Sequence, residues 1–107
     1  MKVVLTLKAA SDLRAINDYI SLTDPNAALS IVRRLRASMR ALGDMPERFS
    51  VLPGYEETGL RRRVEGNHLI IYEISLGRVY IVHVVHGASD LEALLRGRGR
   101  EQPSDGG

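Results

Sequence analysis

A chain of 107 residues is sized for one domain with a modest hydrophobic core, and its lack of cysteine removes disulfides and thiolate metal sites. Fifteen basic against thirteen acidic side chains leave a formal charge of +2, too little for bulk electrostatics to hold nucleic acid. No apolar run approaches the roughly 20 residues that span a bilayer, and the amino terminus lacks a signal-peptide stretch, so a cytoplasmic protein is expected.

Lys2 to Lys8 sets Val3, Leu5 and Leu7 against Lys2, Thr6 and Lys8, the period of a strand with one buried face. From about Ala9 the period lengthens: Leu13, Ile16 and Ile20 recur three and four apart, as on an amphipathic helix. Asp24-Pro25 then punctuates the chain, Asp24 accepting from free N–H groups of the next helix and Pro25 fitting its first turn. The second helix is predicted to reach about Leu42, with Ala28, Ile31, Val32, Leu35 and Met39 on its stripe and Gly43 as a left-handed cap. Pro46, Pro53, Gly54 and Gly59 mark residues 44–59 as a loop.

Three strands are predicted near Leu60–Glu65, Asn67–Ser75 and Arg78–His86, the last two joined by a tight turn at Leu76-Gly77. A short capped helix follows from Ser89 to Leu95, with Asp90 and Glu92 read as capping groups. The fold class is therefore α+β, with an N-terminal strand, an antiparallel helical hairpin and a three-stranded antiparallel meander in one sheet carrying both helices on one face. Residues 1–96 form this domain, and 97–107, rich in Gly and Arg without a large apolar side chain, are expected to be disordered. The strand from Asn67 is apolar on both sides, which leaves one sheet face without helical cover and points to another chain as the cover.

Thirteen of the fifteen bases are arginine, a planar fork suited to carboxylates and phosphates, although a GC-rich genome gives the same bias. Arg61-Arg62-Arg63 places Arg61 and Arg63 on one strand face and Arg62 on the other. The run reads either as a solvated edge strand or as a contact for carboxylates or a nucleoprotein target. His83 and His86 lie three apart, on opposite strand faces unless a bulge intervenes. A cofactor or metal is not expected, for the sequence has no phosphate loop, carboxylate pair at metal spacing or nucleophile motif.

The order of elements, together with Ala10-Ser-Asp-Leu-Arg-Ala-Ile-Asn-Asp-Tyr-Ile20, Gly59-Leu-Arg-Arg62, Gly66-Asn-His-Leu-Ile-Ile-Tyr72 and Val82-His-Val-Val-His86, resembles the RelE/ParE toxin superfamily. The resemblance covers about residues 2 to 95 and is closest to the ParE branch of type II toxin-antitoxin systems. It implies a toxin silenced by a cognate antitoxin, with DNA gyrase as target in the ParE branch, held on cleaved DNA, and ribosome-bound messenger RNA as substrate in the RelE branch. It leaves open a third outcome, an inactive toxin-like module that only binds antitoxin.

Ribonuclease chemistry needs a base, an acid and cations around the phosphorane. Matched through Tyr72, one basic position of the RelE-type nucleases falls on Leu69, another on Ser89, and only Arg62 keeps its charge. The resemblance therefore favours gyrase inhibition without a catalytic residue, with Arg61, Arg62, Arg63 and His86 as target contacts. The ribonuclease alternative rests on Arg62, His83 and His86. Tyr19, Met39, Ile70 and Tyr72 are the candidate antitoxin contacts, Tyr19 beside the first helical stripe, Met39 near the end of the second and the other two on the doubly apolar strand. His68 reads as a packing or capping residue.

Overall fold

The structure, a computed structural model, describes residues 1–87 and 90–94. Strand β1 (Lys2–Leu5) leads into helices α1 (Leu7–Ser21) and α2 (Pro25–Ala41), and after a long loop come β2 (Arg61–Glu65), β3 (His68–Ser75) and β4 (Arg78–His86). The sheet runs β1-β4-β3-β2, with β2, β3 and β4 antiparallel and β1 parallel to β4, so it is mixed. The helical hairpin and meander are as the residue pattern predicts.

The first strand is shorter than its alternation suggests. Thr6 ends it by acting as N-cap of α1: its hydroxyl accepts from the Ala9 N–H at 3.2 Å and donates to the Ile81 carbonyl at 2.6 Å. Leu7, the third apolar residue of the alternation, is 91% exposed on the helix. Asp24 caps α2 as expected, accepting from the Ala27 N–H at 3.0 Å with Pro25 in the first turn.

Two clusters fill the interior. Leu13, Leu35, Met39 and Leu42 from the helices pack on Ile70, Tyr72, Val79, Ile81 and Val84 of the sheet. Tyr72 reaches through this layer, donating its hydroxyl to the Pro46 carbonyl at 2.6 Å, and burial raises its pKa so that the donor keeps its proton. On the opposite face Leu69 and Ile71 are covered by Leu52, Leu60 and Tyr55 of the long loop and by Leu91, so the expectation of a bare apolar face waiting for another chain is corrected. Residues 90–94 are helical, while the predicted cap at Ser89 and the tail from Gly97 lie outside the described residues.

Gly43 is not the left-handed cap predicted for α2. The helix ends on Leu42 in right-handed geometry, and the positive-φ residues lie elsewhere. Glycine is required there by close approach: an added Cβ would stand 2.5 Å from the Met1 carbonyl oxygen, where the Met1 amine also donates to the Gly43 carbonyl at 2.6 Å. Gly43→Ala is expected to lower the unfolding free energy by about 1–3 kcal/mol in urea melts, as forced overpacking does. A change within about 0.5 kcal/mol would mean that the amino terminus yields freely.

Candidate functional site

The Gly66-Asn67 turn, with Gly66 at φ 61°, returns the chain so that His68 opens β3 directly opposite His86 at the end of β4. Their rings meet edge to face with centroids 5.1 Å apart. His68 is 6% exposed, and burial, reinforced by the neighbouring His86 charge, pushes its pKa below the ordinary value of 6.5. The pair closes one end of a groove of about 500 Å³ lined by Ile16, Tyr19, Ile20 and Ile31 of the helices and by Asp90. Around the sheet end lies a more open depression of about 550 Å³ reached by Arg62, Val64, Leu69 and both rings.

The three arginines of β2 divide as strand alternation requires, and the two that share a face, Arg61 and Arg63, are held by main-chain carbonyls. Arg61 donates to the Phe49 carbonyl at 2.6 Å and the Glu47 carbonyl at 3.3 Å. Arg63 donates to the Ser38 carbonyl at 2.9 Å and lies over the Phe49 ring at 4.9 Å. Both guanidiniums thus tie the edge strand to the loop and to α2, where charge-assisted bonds to carbonyls are strong. Ser38 adds a hydroxyl bond to the Glu65 carboxylate. Arg62 pairs with Ile71 in register and points to the other face.

The bulge that could have united His83 with His86 falls too early. Ile71 pairs with His83 while Tyr72 pairs with Ile81, so Val82 is the extra residue and regular alternation resumes before His86. The Nδ1 of His83 instead sits 3.7 Å from the Asp12 carboxylate of α1. Asp12 accepts from the Val84 N–H at 3.0 Å and from Lys8 at 2.9 Å. Pairing of β1 with β4 stops at Ile81, which leaves that Val84 donor on a free edge, and the carboxylate satisfies it. Asp12, Ser38 and Phe49 were not singled out by sequence reasoning, because each is joined to a residue far along the chain by a bond between a side chain and a main-chain group, which leaves no local pattern.

Of the antitoxin candidates, Tyr19 is 77% exposed at the groove, whereas Ile70 and Tyr72 are fully buried and Met39 is 4% exposed. The buried three form the floor of the core beneath the helices and present no surface for direct contact, a correction to their predicted role. Leu22, 82% exposed at the end of α1, offers apolar surface that the helical period had not assigned.

This sheet, with a helical hairpin on one face and a loop-covered second face, is the fold of RelE/ParE-type toxins. The match to a chromosomal ParDE toxin-antitoxin system from P. aeruginosa has a TM-score of 0.71 at 24% identity, covering 82% of this chain and 97% of that one. The toxin-antitoxin complex RelBE2 from Mycobacterium tuberculosis matches at 0.55 and 21% identity, over 79% and 88% of the two chains. A YoeB/ParE toxin from Agrobacterium tumefaciens matches at 0.56 and 21% identity, over 82% and 100%. In sequence, the protein described as toxin RelE2 of Caulobacter vibrioides is 36% identical over 89 residues, spanning 81% of this chain and 96% of that protein. The profile described as ParE toxin of type II toxin-antitoxin system, parDE, matches residues 3–91, and the chain belongs to that family.

His68 supplies a pH test of the groove. The unfolded chain takes a proton there near 6.5 and the folded chain only at lower pH, so the unfolded state binds more protons in that window and stability falls as pH drops through it. Urea midpoints are expected to decline between about pH 7.5 and about pH 5.5 in the parent and less steeply in His68→Gln. Equal declines would show that His68 is not held neutral by its surroundings.

Proposed function

We propose that this type II toxin stops growth by binding DNA gyrase, and that its antitoxin seats an amphipathic segment in the groove beside Tyr19. The observation that carries the first half is the dispersal of Arg62, His83 and His86, for which Arg61 and Arg63, held by main-chain carbonyls, supply no substitute cation; the same bonds leave Arg62 and His86 as the target contacts. His83 lies against Asp12. Arg62 and His86 stand two strands and three residues apart, roughly 14 Å between Cα atoms from strand spacing and rise. A phosphodiester needs its base, acid and cation converging on one reacting centre, and such separation favours a contact surface. The groove supports the second half of the reading: Ile16, Tyr19 and Ile20 of α1 line it at helical spacing with Ile31 of α2 beside them, an apolar trough of the kind that receives a helix face.

A second reading has its own support. Arg62, His68 and His86 border one open depression, and the curated relative is described as a RelE toxin. On that reading the chain is a metal-independent ribonuclease of ribosome-bound message, with Arg62 steadying the phosphorane and His86 moving the proton.

The two readings part in one experiment on a single preparation. Purified toxin is expected to block gyrase supercoiling and leave ribosome-bound message intact, with Arg62→Ala and His86→Ala weakening the block severalfold at unchanged fold stability. Cleaved message with supercoiling untouched, lost on His86→Ala, would replace the gyrase reading with the ribonuclease.

A further inference from the structure

The formal charge of +2 conceals a strong segregation. Helix α2 holds Arg33, Arg34, Arg36 and Arg40 and no acidic residue, so it carries +4 while the remainder of the chain carries −2. All four arginines are exposed. At about 100° per residue, Arg33, Arg36 and Arg40 fall within about 60° of one another, in a straight stripe roughly 10 Å long. Arg34 lies off it, donating to Ser30 at 3.4 Å. Among the described residues no carboxylate is within ion-pair reach of the stripe. Beside it a shallow depression of about 130 Å³ is lined by Val3, Leu5, Met39 and Ile81 with Arg36 and Arg40, again without an acid.

We propose that the Arg33–Arg36–Arg40 face of α2 is a docking surface for the phosphate backbone of duplex DNA. Duplex DNA presents one negative charge per about 1.7 Å of its axis, so a stripe of this length meets phosphates along its whole extent. Arginine forks suit such contacts, and a helix exterior held rigid by Leu35 and Met39 beneath it keeps three of them in line. The helix contains no aromatic residue, so it lacks the stacking platform by which single strands are held. The surface lies on the far side of α2 from the groove beside Tyr19, which leaves that groove open to antitoxin. Only the choice of DNA over another duplex rests on the gyrase reading. A toxin that meets gyrase with DNA in its grip would then touch both partners.

The test uses the full chain and a labelled duplex of about 30 base pairs, with anisotropy read from about 50 to 200 mM salt. The parent is expected to bind with log affinity falling linearly in log salt. R33A/R36A/R40A should bind at least about tenfold more weakly at the low-salt end, with the slope reduced by about 2.7, three contacts at about 0.9 each. R33K/R36K/R40K should keep most of the slope, and R14A/R78A, which removes two exposed arginines elsewhere, should stay within about twofold. Circular dichroism melts confirm that each variant is folded. The proposal is overturned if the parent shows no salt-dependent binding, if the triple alanine variant keeps the parental slope, or if a single strand of the same sequence binds better. It is also overturned if the triple variant loses antitoxin affinity and keeps DNA affinity, which would assign the stripe to an acidic protein. Because the isotherm contains toxin and DNA alone, its result stands whatever the supercoiling assay gives.

Discussion

The fold depends on burying β3 from both sides. Five successive residues, His68 to Tyr72, are buried, and alternation sends Ile70 and Tyr72 into the helical layer and Leu69 and Ile71 into the layer under the loop. A strand of this kind cannot sit at a sheet edge or on a one-sided sheet without exposing apolar surface. It therefore takes an inner position between β2 and β4, and both covers must be in place at once. The loop between α2 and β2 is accordingly a structural layer, fastened by the Tyr72 hydroxyl to the Pro46 carbonyl and by Arg61 to the Phe49 carbonyl.

That fastening decides what the surface can do. The guanidiniums of Arg61 and Arg63 hold β2 to the loop and to α2, which leaves Arg62 as the β2 cation at the open depression. The two histidines at the sheet end sit where the double cover runs out, one shielded and one open, between the helical groove and the depression reached by Arg62. Cationic charge free of such duties is gathered on the outer face of α2 instead. A single scaffold thus separates an apolar groove, a polar sheet end and an arginine stripe, which is the division expected of a protein with several partners.

Much of this was legible in the residues. The Asp24-Pro25 restart, the stripe of α2 and the Leu76-Gly77 hairpin follow from local rules, and each is present. Thr6 was misread because the alternation through Leu7 mimics a strand, whereas a capping bond and a contact to Ile81, 75 residues away, settle the boundary. The loop cover escaped because Leu52, Tyr55 and Leu60 share no period; nothing local distinguishes a lid from a linker. The roles of Arg61 and Arg63 escaped for a related reason, since their partners are main-chain carbonyls that every residue offers. The histidine pair was half visible: the faces of His83 and His86 followed from strand geometry, while the facing of His68 by His86 needed the register.

The central claim, that this toxin acts by occupying its target, is tested most directly by stoichiometry. Gyrase at several fixed concentrations is titrated with toxin, and residual supercoiling is read after incubations of different length. Occupancy predicts an end point that scales with the amount of gyrase at a fixed molar ratio and does not move with time. Inhibition that deepens with time under a small fraction of equimolar toxin, turning over many target molecules per chain, would contradict the account.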